Sequence, residues 1–339
     1  MVIDSLKRPL KDLRISVTDR CNFRCPYCMP AEINGERYEF LPKSEVMTFE
    51  EITRLVGIFV GLGVTKLRLT GGEPLVRTNL VTLVGMLSAI RGVEDVAMTT
   101  NGYLLAQHAG ALKDAGLHRV TVSLDSLDDA IFRRLNGRGF GVKKVLEGVQ
   151  AAATAGLGPI KINAVVMKGV NDHCVVDLAR WCKEQGYIAR FIEYMDVGNL
   201  NRWESNQVTS VTEIVERIDA EMPLEPAEPN YPGEVAKRWR YTDGTGEIGV
   251  IASVTNPFCG DCTRARLSTD GKLFTCLFGS VGKDLLGEMR AGATDEEIED
   301  VLRGTWSLRT DRYSELRASL PKTQLGEPKP KVEMFKIGG

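Results

Sequence analysis

Apolar and polar residues alternate through Leu13-Arg14-Ile15-Ser16-Val17-Thr18, the two-residue period of a strand. Thr48-Phe49-Glu50-Glu51 then forms a capping-box pattern, and the period that follows predicts a helix to about Leu62. Gly63 ends that helix, Lys66–Thr70 reads as the next strand, and Gly71-Gly72-Glu73-Pro74 makes the turn after it. The pattern recurs. Strands are predicted over 95–100, 119–124, 160–166 and 188–195. Helices are predicted up to residue 115, around 129–135 and 142–155, and over 175–185. Six strand-then-helix units with apolar strands imply a parallel sheet, buried on both faces and joined by right-handed crossovers. The predicted fold is therefore α/β, an incomplete parallel (β/α)6 barrel two units short of a full one. Its site should lie after the C-terminal ends of the strands.

Past Met195 the period changes. Residues 199–206 are polar, 208–220 read as a helix, and 223–233 carry four prolines and a glycine, which reads as a seam. The expected division is 1–222 for the partial barrel and 223–339 for a C-terminal region that covers its open side. That region shows short strands near 239–242 and 248–252 and a helix over 294–302 with its own capping box. A length of 339 residues suits one large barrel or two smaller domains, and a net charge of −2 argues against coating nucleic acid or a membrane. No signal-like segment opens the chain, and the longest apolar run, near 55–64, is broken by glycines. A cytoplasmic protein is expected, as a monomer or homodimer.

Six of the eight cysteines fall in two tight groups, the pattern of metal ligation in a reducing compartment. Cys21, Cys25 and Cys28 form C-x3-C-x2-C directly after the first strand. Cys259, Cys262 and Cys276 form C-x2-C-x13-C, and Thr269-Asp270-Gly271-Lys272 reads as a turn that folds Cys276 back on the pair. Each group offers three soft ligands and no obvious fourth. Thiolates suit zinc and iron–sulfur clusters alike, so ligand type leaves both open, including one binuclear zinc centre shared by all six. Several cations interrupt apolar runs: Arg14, Arg68, Lys161, Arg190, Arg264 and Arg266. Buried cations are costly unless an anion meets them, and the Arg fork suits phosphate. Ser123, Asp125 and Met195 end later strands, where packing or capping is an equal reading. Cys174 and Cys182 belong to neither group and read as small buried apolar residues. His108, His118 and His173 read as surface or helix-end residues, and Trp181 and Trp306 as core.

The first loop, with Tyr27 before its last cysteine, resembles the C-x3-C-x-aromatic-C signature of radical S-adenosylmethionine (SAM) enzymes, and Gly71–Pro74 resembles their GGEP motif. Residues 12–18, 67–74, 99–102, 123–126 and 190–195, the second loop with Thr263–Leu267, and the terminal Gly338-Gly339 extend the likeness over nearly the whole chain. Together they resemble the molybdenum cofactor biosynthesis protein A family, whose members are GTP 3′,8-cyclases. The resemblance implies two 4Fe-4S clusters, one on each cysteine group, with SAM completing the first and guanine meeting the second. A 5′-deoxyadenosyl radical would take hydrogen from C3′ of GTP, and the carbon radical would attack C8. It further implies Tyr27, Gly72, Glu73, Ser123 and Met195 for SAM. For GTP it implies Arg14, Arg68, Thr99, Lys161, Arg190, Arg264, Ala265 and Arg266. Arg14, Arg264, Arg266, Gly338 and Gly339 would serve catalysis, the tail reaching in near Arg14. Implied partners are a reductant or electron-transfer protein and cyclic pyranopterin monophosphate synthase, which would take the product. Two alternatives stand beside this: another radical SAM enzyme with an auxiliary cluster, such as a peptide modifier, and a non-enzymatic metal-binding or redox-sensing protein. The former usually carry more C-terminal cysteines. The latter leaves the GGEP turn and the cations in apolar runs without a purpose.

Overall fold

All six predicted strands form in the computed structural model, which describes residues 1–31, 39–231, 233–319 and 330–338. They are β1 (Asp12–Ser16), β2 (Lys66–Thr70), β3 (Asp95–Thr100), β4 (Arg119–Ser123), β5 (Lys161–Val166) and β6 (Ile188–Glu193). They pair in chain order and all in parallel. The helix Phe49–Gly61 starts at the expected capping box on Thr48 and buries Ile52, Leu55, Val56, Ile58 and Phe59 against the sheet's outer face. The helix Val175–Gln185 stops at Gly186, whose φ of 71° is the left-handed conformation that lets a glycine end a helix.

The C-terminal third does more than cover the opening. It adds β7 (Leu224–Ala227), β8 (Lys237–Tyr241), β9 (Glu247–Ile251), β10 (Arg264–Leu267), β11 (Lys272–Phe274) and β12 (Lys283–Asp284). Strand β9 pairs in parallel with β6 at one edge, and β10 in parallel with β1 at the other. Eight parallel strands result, extended by the antiparallel runs β9-β8-β7 and β10-β11-β12. Strands β9 and β10 do not pair, so the barrel stays open. Residues 252–263 bridge that gap from one edge to the other, and they carry Cys259 and Cys262. The proline-rich seam expected over 223–233 begins instead with β7. Pro226 is tolerated there because β7 ends the sheet and its missing N–H need bond nothing. The expected division at 222/223 thus falls within one continuous sheet.

The two-residue period decides what faces the interior. Leu13, Ile15, Leu67, Leu69, Ile162, Ala164, Ala265 and Leu267 pack outward in the core beneath the helices. Their neighbours in sequence, Arg14, Arg68, Asn163, Arg264 and Arg266, point inward and line the barrel.

Candidate active site

Among the described residues a cavity occupies the barrel interior, from the strand C-termini to the strand starts. At the upper end its wall holds Cys21, Cys25, Cys28, Gly72, Glu73, Ser123, Asp125 and Met195. Towards the strand starts it holds Asp12, Arg14, Lys66, Arg68, Asp95, Arg119, Arg190, Arg264 and Arg266.

The first cysteine loop is held by its own backbone. Arg24 Nη1 donates to the carbonyls of Cys21 and Phe23, both at 2.7 Å, and the N–H groups of Cys28 and Met29 donate to Cys25 at 3.0 and 2.8 Å. Burial pushes the Cys21 thiol up to about 12 and raises Cys25 and Cys28 as well. Loading must therefore expel protons, which a cationic iron core makes favourable. Among the described residues no three His, Cys, Asp or Glu side chains close on one ion. Cys21, Cys25 and Cys28 all reach the cavity wall, where three thiolates would be available to a 4Fe-4S cluster.

The glycines of Gly71-Gly72-Glu73 have a nearer reason than ligand access. A Cβ on Gly71 would overlap the Thr18 carbonyl, and one on Gly72 would overlap that of Arg20. Gly72 N–H donates to Thr18 O at 2.7 Å and Glu73 N–H to Arg20 O at 2.8 Å, tying this turn to the stretch that leads into Cys21. The buried Glu73 carboxylate accepts from Thr100 Oγ1 (2.7 Å), Leu75 N (3.0 Å) and Asn101 N (2.7 Å). Three of its roughly four acceptor positions are so used. Burial, against those three bonds, pushes its pKa up to about 7. Tyr27 Oη donates to Asp125 Oδ2 at 2.6 Å, and burial lifts Asp125 to about 6.

The lower end carries the cations. Arg266, Arg14 and Arg68 stand in register on adjacent strands β10, β1 and β2. Arg14 has no hydrogen-bond or ion-pair partner among the described residues, and burial, then Arg266, Arg68 and Arg264, hold its pKa well down. Arg68 Nη1 donates to Thr99 and Thr121 hydroxyls, both at 3.2 Å, and burial lowers it to about 10. Lys161 opens β5 beside Thr121 on the same inward face, outside the cavity wall itself. Burial, then Arg190, Arg119 and Arg68, bring it down to about 7. Ala265 pairs with Leu13 and its side chain lies in the outer core, so only its backbone is available to a ligand.

The second cysteine group lies behind this end: Phe258 and Leu277, neighbours of Cys259 and Cys276, are in the cavity wall. Arg264 Nη2 donates to Cys262 Sγ at 3.2 Å. Burial opposes the Cys262 thiolate, yet Arg264 and Arg309 outweigh it and hold the pKa down to about 6. Burial lifts Cys276 to about 11. The hairpin that returns Cys276 turns at Gly271, whose φ is 70°.

The tail enters the site at Arg266, the register neighbour of Arg14. Gly338 carbonyl accepts from Arg266 Nη1, and not from Arg14. Phe335 and Ile337 are buried, and Met334 and Phe335 line the cavity. Gly338 has φ 74°, and a Cβ there would overlap Thr70. Gly339 lies outside the described residues.

Several lining groups had no motif to mark them. Arg119 is bound to Asp95, with Nε to Oδ1 at 3.0 Å, and Tyr231 stacks under Lys66 Nζ at 3.6 Å. Asn163 Oδ1 is buried without a partner among the described residues. Arg119 and Asn163 share the inward parity of Lys161, which was the available signal. Of the residues set aside, Cys182 and Trp306 are core, while Cys174 is only half-buried and accepts from the Ser126 hydroxyl at 3.4 Å. Trp181 is half-buried at the core's margin, and His118 Nδ1 accepts from Val96 N at 3.0 Å.

Residues 15–182 match the model of the Radical SAM superfamily, and residues 187–315 match Molybdenum Cofactor Synthesis C. A GTP 3′,8-cyclase of Acidothermus cellulolyticus is 52% identical, covering 99% of this chain and 98% of that protein. One of Staphylococcus saprophyticus is 46% identical, covering 100% and 99%. The chain belongs to the GTP 3′,8-cyclase family of radical SAM proteins. A 4Fe-4S cluster and SAM are the cofactors of that superfamily. Among solved structures, SuiB of Streptococcus suis bound to precursor peptide SuiA matches with a TM-score of 0.62 at 14% identity, covering 92% of this chain and 67% of that one. The enzyme anSMEcpe with bound AdoMet and a peptide matches with a TM-score of 0.57 at 14% identity, covering 97% and 88%. These two establish the fold alone. Among the described residues no helix is long and apolar enough to cross a membrane.

Proposed function

We propose that this chain cyclises GTP between C3′ and C8, the first step of molybdenum cofactor biosynthesis. One observation carries the reading: a cavity runs from the first cysteine group to Phe258 and Leu277 beside the second, lined by unpaired carboxylate capacity at one end and by cations at the other. Cys21, Cys25 and Cys28 would hold a 4Fe-4S cluster, and Cys259, Cys262 and Cys276 a second. When bound, the first cluster supplies the single electron that makes SAM reactive, and the second offers guanine an open iron.

The chain's own groups do the rest. Glu73 and the Gly72 backbone receive the SAM amino group, and Tyr27, Ser123 and Met195 bound its pocket. Arg14, Arg68, Lys161 and Arg190 take the triphosphate by charge-assisted hydrogen bonds, with Thr99 offering its hydroxyl. Arg264, the Ala265 backbone and Arg266 flank the base and ribose. Phe335 and Gly338 close the cavity from the tail side, and Gly338 fixes the direction of the Arg266 fork. Exclusion of water keeps a carbon radical from being quenched. The reductant is an electron-transfer protein or its equivalent in the cytoplasm, and the product passes to cyclic pyranopterin monophosphate synthase.

Anaerobic incubation with GTP, SAM and dithionite tests this. GTP deuterated at C3′ should deliver its label into 5′-deoxyadenosine, together with a cyclised nucleotide. Formation of 5′-deoxyadenosine without label, or dependence on a peptide in place of GTP, would overturn it.

A further inference from the structure

Behind the second cysteine loop lies a buried ionic cluster that the function above does not use. Asp4 Oδ2 accepts from Arg8 Nε at 2.6 Å and from Arg309 Nη1 at 3.5 Å, and its Oδ1 accepts from Arg8 N at 2.8 Å. All three residues are at most 5% exposed. Arg8 Nη1 donates to the Cys259 carbonyl and to Asp311 O, both at 2.8 Å. Arg309 Nη1 donates to the Cys262 carbonyl at 2.7 Å. The Arg309 guanidinium lies 4.6 Å from the Trp306 ring centre, and Trp306 Nε1 donates to Arg8 O at 3.1 Å. Each arginine therefore grips the backbone of one cysteine of the loop, and Asp4 joins the two grips.

Two features go beyond a structural tie. Two guanidinium groups face one fully buried carboxylate, and the further carboxylate, Asp311, sits 3.3 Å from Arg309 Nε with its side chain 34% exposed. The four charges balance, but Asp311 is partly solvated, so the fully buried set of Arg8, Arg309 and Asp4 carries one positive charge beyond its carboxylate, at a desolvation cost that packing alone would not repay. Arg8 Nη2 is buried with no acceptor among the described residues. A buried cationic N–H without an acceptor is rare and costly. An iron–sulfur cluster on the neighbouring thiolates brings both negative charge and sulfur acceptors.

We infer that Arg8 and Arg309 are positioning residues for the second cluster. They hold the Cys259 and Cys262 backbone and raise the cluster's reduction potential, while Asp4 lowers it. Nearby positive charge and N–H donors favour the electron-richer state, which gives the sign. The inference rests on the second cluster of the proposed function.

The test uses full-length protein with Cys21, Cys25 and Cys28 all changed to Ser, so that only the second group can hold iron. After anaerobic reconstitution, iron and sulfide are counted and the midpoint potential is read by a redox titration followed by electron paramagnetic resonance. Arg8→Gln and Arg309→Gln should shift the potential down, Asp4→Asn should shift it up, and Arg309→Lys should stay near the parent. Iron release to a chelator should be at least tenfold faster in Arg8→Gln. Should the Gln variants not fold, Asp4→Asn against Arg309→Lys still reads the sign. A cluster present with one common potential in every folded variant would overturn this inference alone. A parent that binds no iron and sulfide would overturn the second cluster, and this inference with it.

Discussion

The two ends of the cavity are opposites. Near the first cysteine loop the buried groups are carboxylates, Glu73 and Asp125, and their pKa values are pushed up to about 7 and about 6. At the strand starts the buried groups are cations, and Lys161, Arg68 and Arg266 come down to about 7, 10 and 10. Burial is the leading cause at both ends, and the direction differs only because burial disfavours whichever charge a group carries. Each end is thus short of a counter-charge, an ammonium at the upper end and a polyanion at the lower. The fold that brings them together is one sheet, so the division of labour is set by strand direction and not by a domain boundary.

Several changes should break the two ends apart. The largest effect is at the cysteines. Cys25→Ser should abolish 5′-deoxyadenosine formation, whereas Cys262→Ser should leave SAM binding within about twofold and abolish nucleotide cyclisation, each read by chromatography of anaerobic reactions. Next is the tail. Gly338→Ala forces a side chain onto Thr70 in a backbone conformation that favours glycine, so cyclisation should fall by about tenfold or more while SAM affinity holds. Arg14→Ala and Arg266→Ala each remove charge-assisted bonds worth ~1.5–3 kcal/mol, so GTP should bind roughly 10- to 100-fold more weakly, by calorimetry, with SAM unchanged. Equal loss for both ligands would show that these arginines serve the fold.

The smallest effect is the most specific. A bound triphosphate restores the charge on Lys161 and raises its pKa above the free value of about 7. That contribution is complete below the free pKa and fades above it, so GTP affinity should drop about tenfold from about pH 6 to about pH 8. A bound ammonium pulls Glu73 down from about 7, so its contribution to SAM affinity should grow as pH rises through that value. Lys161→Met and Glu73→Gln should each flatten only its own profile.

Most of the barrel was legible because its signals are local. The capping box at Thr48, the glycine stops and the two-residue alternation of β1 and β2 each fix an element without help from elsewhere. Strand β10 shows the limit. Arg264-Ala265-Arg266-Leu267 alternates as Leu13-Arg14-Ile15 does, but four residues beside a cysteine motif carry too little period to assign. Its pairing with β1 spans some 250 positions, and nothing local encodes such a contact. The same holds for β7, whose Pro226 read as part of a seam until the edge position made it acceptable. In the site, the cysteines, the GGEP turn and the cations within apolar runs were legible from residue type. The grip of Arg8 and Arg309 was not, since it joins the N-terminus, the second loop and the helix Asp295–Ser307 through tertiary packing alone.

Iron and acid-labile sulfide analysis of anaerobically prepared protein tests most directly whether one cavity lies between two clusters. Two groups of three thiolates, each holding a cubane with one iron left open, predict about eight irons and eight sulfides per chain. Changing Cys259, Cys262 and Cys276 to Ser should leave about four of each. Stoichiometric zinc, or about four irons already in the unaltered chain, would contradict the account.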